Sequence, residues 1–153
     1  MKKIFLIVIL YNLNDNSILY ELESEEKVQV ASLTKIMTAI VAIENIKSLD
    51  EKVVVSKNVF TGIEDYSKMG LKIGDKVTYK DLLYGIILSS GADAVNAMAL
   101  NLSGSIANFV KLMNEKAVLL GMDNTKFDNP IGMDSKENYS SAKDISKLFI
   151  LFF

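Results

Sequence analysis

Residues 33–43 constrain the fold of this chain more than any other segment. Within the quoted stretch QVASLTKIMTAIVAIE, the only polar side chains between positions 33 and 43 are Thr34, Lys35 and Thr38. The pattern predicts a helix from about residue 32 to residue 46 that is apolar nearly all round, and such a helix belongs in the middle of a fold. Lys35, one helical turn after Ser32, therefore needs an explanation.

Composition excludes several classes of site. The 153 residues are 50% hydrophobic, enough for the core of one domain, and they contain neither His nor Cys. These absences exclude a Ser-His-Asp triad, a cysteine nucleophile and the common zinc sites. The two glycine-rich phosphate-binding motifs are also absent. A catalytic base would have to be Lys, Asp, Glu or Tyr, and we expect no metal or cofactor.

Charge gives little information about partners. All 17 basic residues are lysines, they are interspersed with 19 acidic residues, and the net charge is −2. No basic face for nucleic acid stands out, so we expect no nucleic-acid partner. Without arginine, an anion would have to be held by lysine, hydroxyl or backbone N–H groups.

The N-terminal segment has two readings. MKKIFLIVILYNLNDNSILYELE predicts a hairpin, with one strand through about residue 13, a turn over residues 14–17 and a second strand over residues 18–21. Residues 1–10 also resemble the remnant of a signal peptide, although their seven-residue apolar run is far too short to span a membrane. Both readings stay open at this point, and so does membrane association.

Further helices are expected along the rest of the chain, after a short β-branched run at residues 53–55 and a loop over residues 56–76. Their expected bounds are residues 78–88, 93–102 and 106–120, with a last helix after Ser141. The start signals are a capping box of Thr78 with Asp81, then Asp93, Ser105, and Ser141 with Asp144. Because the chain ends on the apolar run KLFILFF, we expect residues 1–153 to be a single partial domain that stops inside a larger fold.

The spacing S-x-x-K occurs three times, so context must separate the copies. Ser24–Lys27 lies in a polar connection, where a solvated charge run is expected. Ser140–Lys143 lies at a helix start, where a capping role for Ser140 is sufficient. For Ser32–Lys35 two interpretations compete. In the first, Lys35 extends its amine to the surface while Ser32 caps the helix. In the second, the Lys35 amine activates the Ser32 hydroxyl as a nucleophile.

The second reading has a chemical basis. Residues i and i+3 share a helix face, and burial lowers the pKa of a lysine because it disfavours the charge. A neutral amine can remove the proton of the Ser32 hydroxyl and make it a nucleophile. The helix N-terminus adds positive potential for an oxyanion.

A second candidate site is LSSGADA, residues 88–94. It places a hydroxyl pair at a helix break, with Ser90 on an exposed turn. A cap-and-turn role explains the motif by itself, and a catalytic hydroxyl is the alternative. Glu64 and Asp65 form a loop carboxylate pair that we expect to be solvated.

Four segments of the chain share one resemblance: ASLTKIMTAIVAIE, MGLKIGDKVTYKDLLYGIILSSGADAVNAMA, FVKLMNEKAVLLGMDNTKFDNPIGMD and YSSAKDISKL. They resemble the low-molecular-mass D-alanyl-D-alanine carboxypeptidases, penicillin-binding members of the β-lactamase/DD-peptidase superfamily. The resemblance covers roughly residues 7–148 in order. It implies an α+β fold: an incomplete DD-peptidase-like domain with a helical part and the N-terminal strands of an antiparallel sheet.

By position, the resemblance implies that Ser32 is the acylated nucleophile, Lys35 its general base and Ser90 the hydroxyl of the S-x-N motif. The chain departs from the family pattern in two places. Ala92 stands where the motif usually has Asn, and no K-[ST]-G motif follows before residue 153. The resemblance therefore implies a chain truncated before its third motif.

Three functions follow from these observations. The first is a serine-type D-Ala-D-Ala carboxypeptidase that cleaves peptidoglycan stem peptides through an acyl-enzyme, is inhibited covalently by β-lactams and works in the cell envelope outside the cytoplasmic membrane. The second is an inactive remnant that binds peptidoglycan or a protein. The third and weakest is a β-lactamase, for which no deacylating base can be identified.

Overall fold

An antiparallel hairpin opens the computed structural model, which describes residues 6–151. Strand β1 (Val8–Asn12) pairs with β2 (Ser17–Leu22), with Leu10 opposite Tyr20 and a bulge between Leu10 and Tyr11. The hairpin prediction is confirmed for the described residues. Residues 1–5 of the candidate signal segment lie outside them.

A second pair of short antiparallel strands precedes the middle helices. Strand β3 (Lys52–Val54) pairs with β4 (Lys76–Thr78), with Val53 opposite Val77. The β-branched run predicted β3 to within one residue. Strand β4 was not predicted, because three residues at the end of a glycine-rich loop are too few to show a period-two pattern.

Five helices complete the described chain and follow the predicted order. They are α1 (Thr34–Asn45), α2 (Tyr79–Leu88), α3 (Ala92–Ser103), α4 (Ile106–Leu119) and α5 (Ala142–Ile150). The capping box of Thr78 with Asp81 is present, and the hydroxyls of Ser105 and Ser141 accept from backbone N–H groups in the first turns of α4 and α5. The predicted α+β class is confirmed.

Helix α1 lies at the centre of the core, as its composition predicts. It contacts α2, α3 and α4, and its residues from Thr34 to Ala42 are buried except for the half-buried Ile36. Leu33 and Ile43, at the two ends of the apolar segment, are exposed and depart from the expected burial. Other large, fully buried side chains come from every other helix and from the connecting segments: Val55, Val59, Ile63, Leu82, Ile86, Met98, Phe109, Met113, Phe127 and Leu148.

Two predictions about single polar residues are wrong, and a third holds only in part. The charged residues around Ser24 are exposed, as expected, but Ser24 itself is buried and its hydroxyl donates to Glu21. Ser140 does not cap α5; its backbone bridges Val28 while the neighbouring Ser141 provides the cap. Asp93 does not cap α3 either, because the N-cap position belongs to Gly91 and carries no side-chain bond.

Candidate active site

Ser32 lies on a short 3₁₀ turn, Ala31–Leu33, immediately before α1, and its side chain is exposed. It does not cap the helix, since neither the turn nor α1 has a side-chain cap bond. Ala31 has a φ of +45°, a left-handed conformation that is unfavourable for a residue with a Cβ. This backbone strain directly precedes an accessible hydroxyl, and such strain is concentrated at functional sites.

Lys35 points inward, not to the surface. Its exposure is only 5%, and its Nζ donates to the backbone carbonyl of Ile131 at 2.6 Å and to Ser32 Oγ at 3.3 Å. The reading in which Lys35 extends to solvent is therefore wrong. The amine and the hydroxyl are in contact, as the shared helix face predicts.

Burial lowers the pKa of the Lys35 amine below its ordinary value of 10.5. The physical cause is desolvation, which penalises the ammonium form and leaves the neutral amine unaffected. Neither Ala31–Leu33 nor α1 has an acidic residue in its first turn that would restore the charge. A larger neutral fraction means a larger fraction of molecules that can accept a proton from Ser32.

Ser90 joins the pair from the other side. It follows the C-terminus of α2, and its hydroxyl donates to Ser32 Oγ at 3.1 Å. Its φ of +50° is a second left-handed backbone angle at the site. Ser90 is half-buried rather than exposed as expected. Its contact with Ser32, together with that of Lys35, brings together the three residues singled out by the sequence.

The residues after Ser90 fix its position against a neighbouring loop. Gly91 permits a close approach, because a Cβ there would lie 2.9 Å from the backbone nitrogen of Met69. The carboxylate of the fully buried Asp93 accepts hydrogen bonds from the backbone nitrogens of Met69, Gly70 and Leu71 at 2.8 to 3.0 Å. Asp93 thus holds the loop beneath the Ser90 turn.

The loop between α4 and α5 provides a part of the site that the sequence prediction missed. It supplies the Ile131 carbonyl to Lys35, and the preceding carbonyl, that of Pro130, accepts from Thr38 Oγ1 at 2.7 Å. Gly132 packs directly on the serine segment, since a Cβ there would lie 2.0 Å from the Ala31 carbonyl oxygen. The sequence DNPIG carries turn signals, but they do not reveal which helix the turn contacts.

An open cleft with a volume of about 460 Å³ runs past the three side chains. Its walls are mainly apolar and include Leu33, Ile36, Ile86 and Ile87. Ala92, which occupies the position of the motif amide, is completely buried. Glu64 and Asp65 are exposed, as expected, and among residues 6–151 no cluster of acidic ligands with metal-binding geometry is found.

Known proteins match this fold and this sequence. A profile of the D-alanyl-D-alanine carboxypeptidase family matches residues 6–151. The chain belongs to the D-alanyl-D-alanine carboxypeptidase family. The resemblance found in the sequence segments is thereby confirmed.

Individual relatives agree with the family assignment. The chain is 41% identical over 144 residues to D-alanyl-D-alanine carboxypeptidase DacF of Bacillus subtilis, covering 90% of this chain and 36% of the relative. Penicillin binding protein 5 from Haemophilus influenzae superposes with a TM-score of 0.88 at 33% identity, covering 94% of this chain and 43% of that one. The Streptomyces K15 DD-transpeptidase also gives a TM-score of 0.88 at 33% identity, covering 94% and 58%. The chain thus has the fold of part of the DD-peptidase domain and spans only about a third to three-fifths of these relatives.

Proposed function

We propose that this protein is a serine-type D-Ala-D-Ala carboxypeptidase in which Ser32 is the nucleophile, Lys35 the general base and Ser90 a proton-transferring hydroxyl. The observation that carries the proposal is the contact of a buried amine with an exposed hydroxyl, Lys35 Nζ to Ser32 Oγ at 3.3 Å. Family membership supplies the substrate class, a peptidoglycan stem peptide that ends in D-Ala-D-Ala.

In the acylation step, the neutral Lys35 amine accepts the Ser32 hydroxyl proton while Oγ attacks the carbonyl carbon of the penultimate residue. The bond from that carbon to the nitrogen of the terminal D-alanine breaks. The nitrogen takes up the proton that Lys35 gained, by way of the Ser90 hydroxyl, which lies 3.1 Å from Ser32 Oγ. The products are an ester on Ser32 and free D-alanine.

In the deacylation step, water attacks the ester carbon and gives its proton to Lys35. The bond from carbon to Ser32 Oγ breaks, and the proton passes to Oγ, which regenerates the hydroxyl. The positive end of α1 lies beside Ser32 and stabilises the negative oxygen that develops in both steps. Each residue thus returns to its starting protonation state.

β-Lactams are proposed as covalent inhibitors, because their strained amide presents the same carbonyl to Ser32. The proposed location is the cell envelope, on the outer side of the cytoplasmic membrane, where peptidoglycan lies. Within residues 6–151, no helix combines the length and apolar character needed to cross a membrane.

The alternative of an inactive binding protein has one observation in its favour, namely Ala92 in place of the motif amide. A β-lactamase is distinguished by fast turnover instead of a stable adduct. All three functions make different predictions for a penicillin-treated sample, so one experiment separates them.

The test is intact-mass analysis of the purified protein after incubation with benzylpenicillin. We expect one adduct of the mass of the drug in the wild type, and none in Ser32→Ala. Ser140→Ala is the matched control, since it removes a serine with the same S-x-x-K spacing, and it should be labelled like the wild type. An adduct in Ser32→Ala would contradict the assignment, no adduct in the wild type would favour a binding protein, and rapid release of hydrolysed drug would favour a β-lactamase.

A further inference from the structure

We propose that the turn formed by residues 128–133 is a positioning device that aims the Lys35 amine at Ser32, and that Asn129 is the residue that maintains it. The inference rests on the proposed function, because it concerns how the base of that reaction is oriented. Asn129 touches neither Ser32 nor Lys35 through any hydrogen bond, so its role is to position the turn and not to react.

The turn meets α1 through two successive carbonyl groups. Ile131 O accepts from Lys35 Nζ at 2.6 Å, and Pro130 O accepts from Thr38 Oγ1 at 2.7 Å. Lys35 and Thr38 are three positions apart and share a helix face. The two bonds therefore fix the position of the turn along the axis of α1 and its orientation relative to that helix.

Asn129 holds the turn in this shape with both ends of its amide. Its Oδ1 accepts from the backbone nitrogens of Gly132 and Met133 at 2.9 and 2.8 Å. Its Nδ2 donates to the Met133 carbonyl at 2.9 Å and to Asp128 Oδ1 at 2.6 Å. The side-chain oxygen of Asn129 thus binds the N–H of the same peptide group whose carbonyl accepts from Lys35.

Gly132 connects the same turn to the nucleophile. A Cβ on Gly132 would lie 2.0 Å from Ala31 O and 3.2 Å from the backbone nitrogen of Ser32. The φ of +81° at Gly132 also favours glycine. One turn therefore contacts the base through Ile131 and the serine segment through Gly132, so its position sets the distance between them.

The chemistry requires this control because a neutral amine has two N–H bonds and only one lone pair. When one N–H is directed at Ile131 O, rotation about the terminal carbon–nitrogen bond is restricted. After deprotonation, the lone pair can then take the direction of the N–H that the ammonium form donates to Ser32 Oγ. Without a fixed acceptor the amine samples other rotations. A misplacement of about 1 Å can reduce a rate by about 100-fold.

The test compares acylation kinetics of Asn129→Ala with those of the wild type, using benzylpenicillin and stopped-flow mixing. The limiting acylation rate constant should fall by about 10- to 100-fold, while the dissociation constant of the initial complex changes less than about twofold. The loss should persist at alkaline pH, where Lys35 is deprotonated, because orientation and not protonation is impaired. Asn129→Ser, which keeps an acceptor oxygen, should recover part of the rate.

Asn96→Ala is the matched control. The buried Asn96 of α3 donates to the carbonyl of Val59 in a distant segment. This variant therefore also removes an asparagine that links a helix to another segment. That segment has no hydrogen bond to Ser32 or Lys35. The acylation rate constant of this variant should equal that of the wild type. Circular dichroism and the fraction of protein labelled at completion report the folded population of each variant.

Four outcomes would overturn the inference. If Asn129→Ala labels a smaller fraction of molecules at the wild-type rate, Asn129 supports folding only. If Asn96→Ala slows acylation equally, the effect is not specific to the turn. If wild-type protein forms no adduct, the proposed function fails together with the inference, whereas wild-type labelling with an unchanged rate in Asn129→Ala refutes the inference alone.

Discussion

Ser32–Lys35 and Ser140–Lys143 share the spacing S-x-x-K at the start of a helix, but their burial is reversed. In the first pair the serine is exposed and the lysine is 5% exposed; in the second the serine is 0% exposed and the lysine is partly exposed. Lys35 donates to a backbone carbonyl and to Ser32, whereas Lys143 forms an ion pair with Glu25.

The pKa shifts of the two lysines are also opposite. Burial lowers the pKa of the Lys35 amine, while the hydrogen bond and charge of Glu25 raise the pKa of the Lys143 amine. One lysine is thus prepared to accept a proton and the other to keep one. The comparison teaches that this spacing only brings two groups within reach, and that their chemistry depends on which of them is excluded from water.

The largest expected difference between the pairs is in acylation. Lys35→Met removes the proposed base, and a general base typically contributes about 10²- to 10⁴-fold to a rate. We expect the acylation rate constant for benzylpenicillin to fall by that factor. Lys143→Met should leave it unchanged, and stopped-flow or quenched-flow labelling measures both variants.

Two results would break the comparison at this point. Equal slowing in both lysine variants would mean that neither residue acts as a specific base. Wild-type rates in Lys35→Met would assign the base to another group.

A smaller difference is expected in stability, and here the second pair should be affected more than the first. Ser140→Ala removes the buried hydroxyl contact to Thr125 Oγ1 at 2.6 Å, so the free energy of unfolding should fall by about 1–3 kcal/mol. Ser32→Ala changes an exposed side chain and should stay within about 0.5 kcal/mol of the wild type. Urea unfolding followed by circular dichroism measures both values, and a larger loss in Ser32→Ala would contradict the assigned roles.

The smallest effect is a pH dependence with opposite signs. The folded-state pKa of Lys35 lies below its unfolded value of 10.5, so the folded state binds fewer protons and its stability rises as pH increases from the folded value towards 10.5. The folded-state pKa of Lys143 is raised, so its contribution is fully present below 10.5 and is lost as pH rises through the higher folded value.

Unfolding free energies at a series of pH values from about 7 to about 11 test both signs. Subtracting the curve of Lys35→Met from that of the wild type should give a difference that increases with pH, and subtracting that of Lys143→Met should give one that decreases. Because all other lysines and tyrosines titrate in both proteins, their contributions to the unfolding free energy cancel in each difference. Because Lys143 is on the surface, its difference should also shrink in added salt, whereas that of Lys35 should not.

Much of the fold could be predicted from local signals. The first four helices were expected within about two residues of their bounds, and the start of the fifth was expected after Ser141. Apolar periodicity and caps such as Thr78 and Ser105 depend on neighbouring residues alone. Strand β4 escaped prediction since its three residues gain their structure from pairing with β3.

For the site, too, the contacts within one helix could be predicted and those with distant segments could not. The contact of Ser32 with Lys35 follows from spacing within one helix, and the place of Ser90 beside them followed from the family resemblance. The roles of Asp93, Ile131 and Gly132 could not be derived, because they depend on which distant loop lies opposite them. Both serines that were misjudged also form backbone hydrogen bonds to distant segments, Ser24 to Lys143 and Ser140 to Val28.

The bond from Lys35 to Ile131 joins groups that are 96 positions apart in the chain. The entropy of closing so large a loop must be overcome before this contact can form. Until that loop has docked, Lys35 is hydrated, protonated and inert towards Ser32. Covalent labelling of Ser32 by a β-lactam, as proposed above, would therefore report that the turn carrying Ile131 has docked on α1.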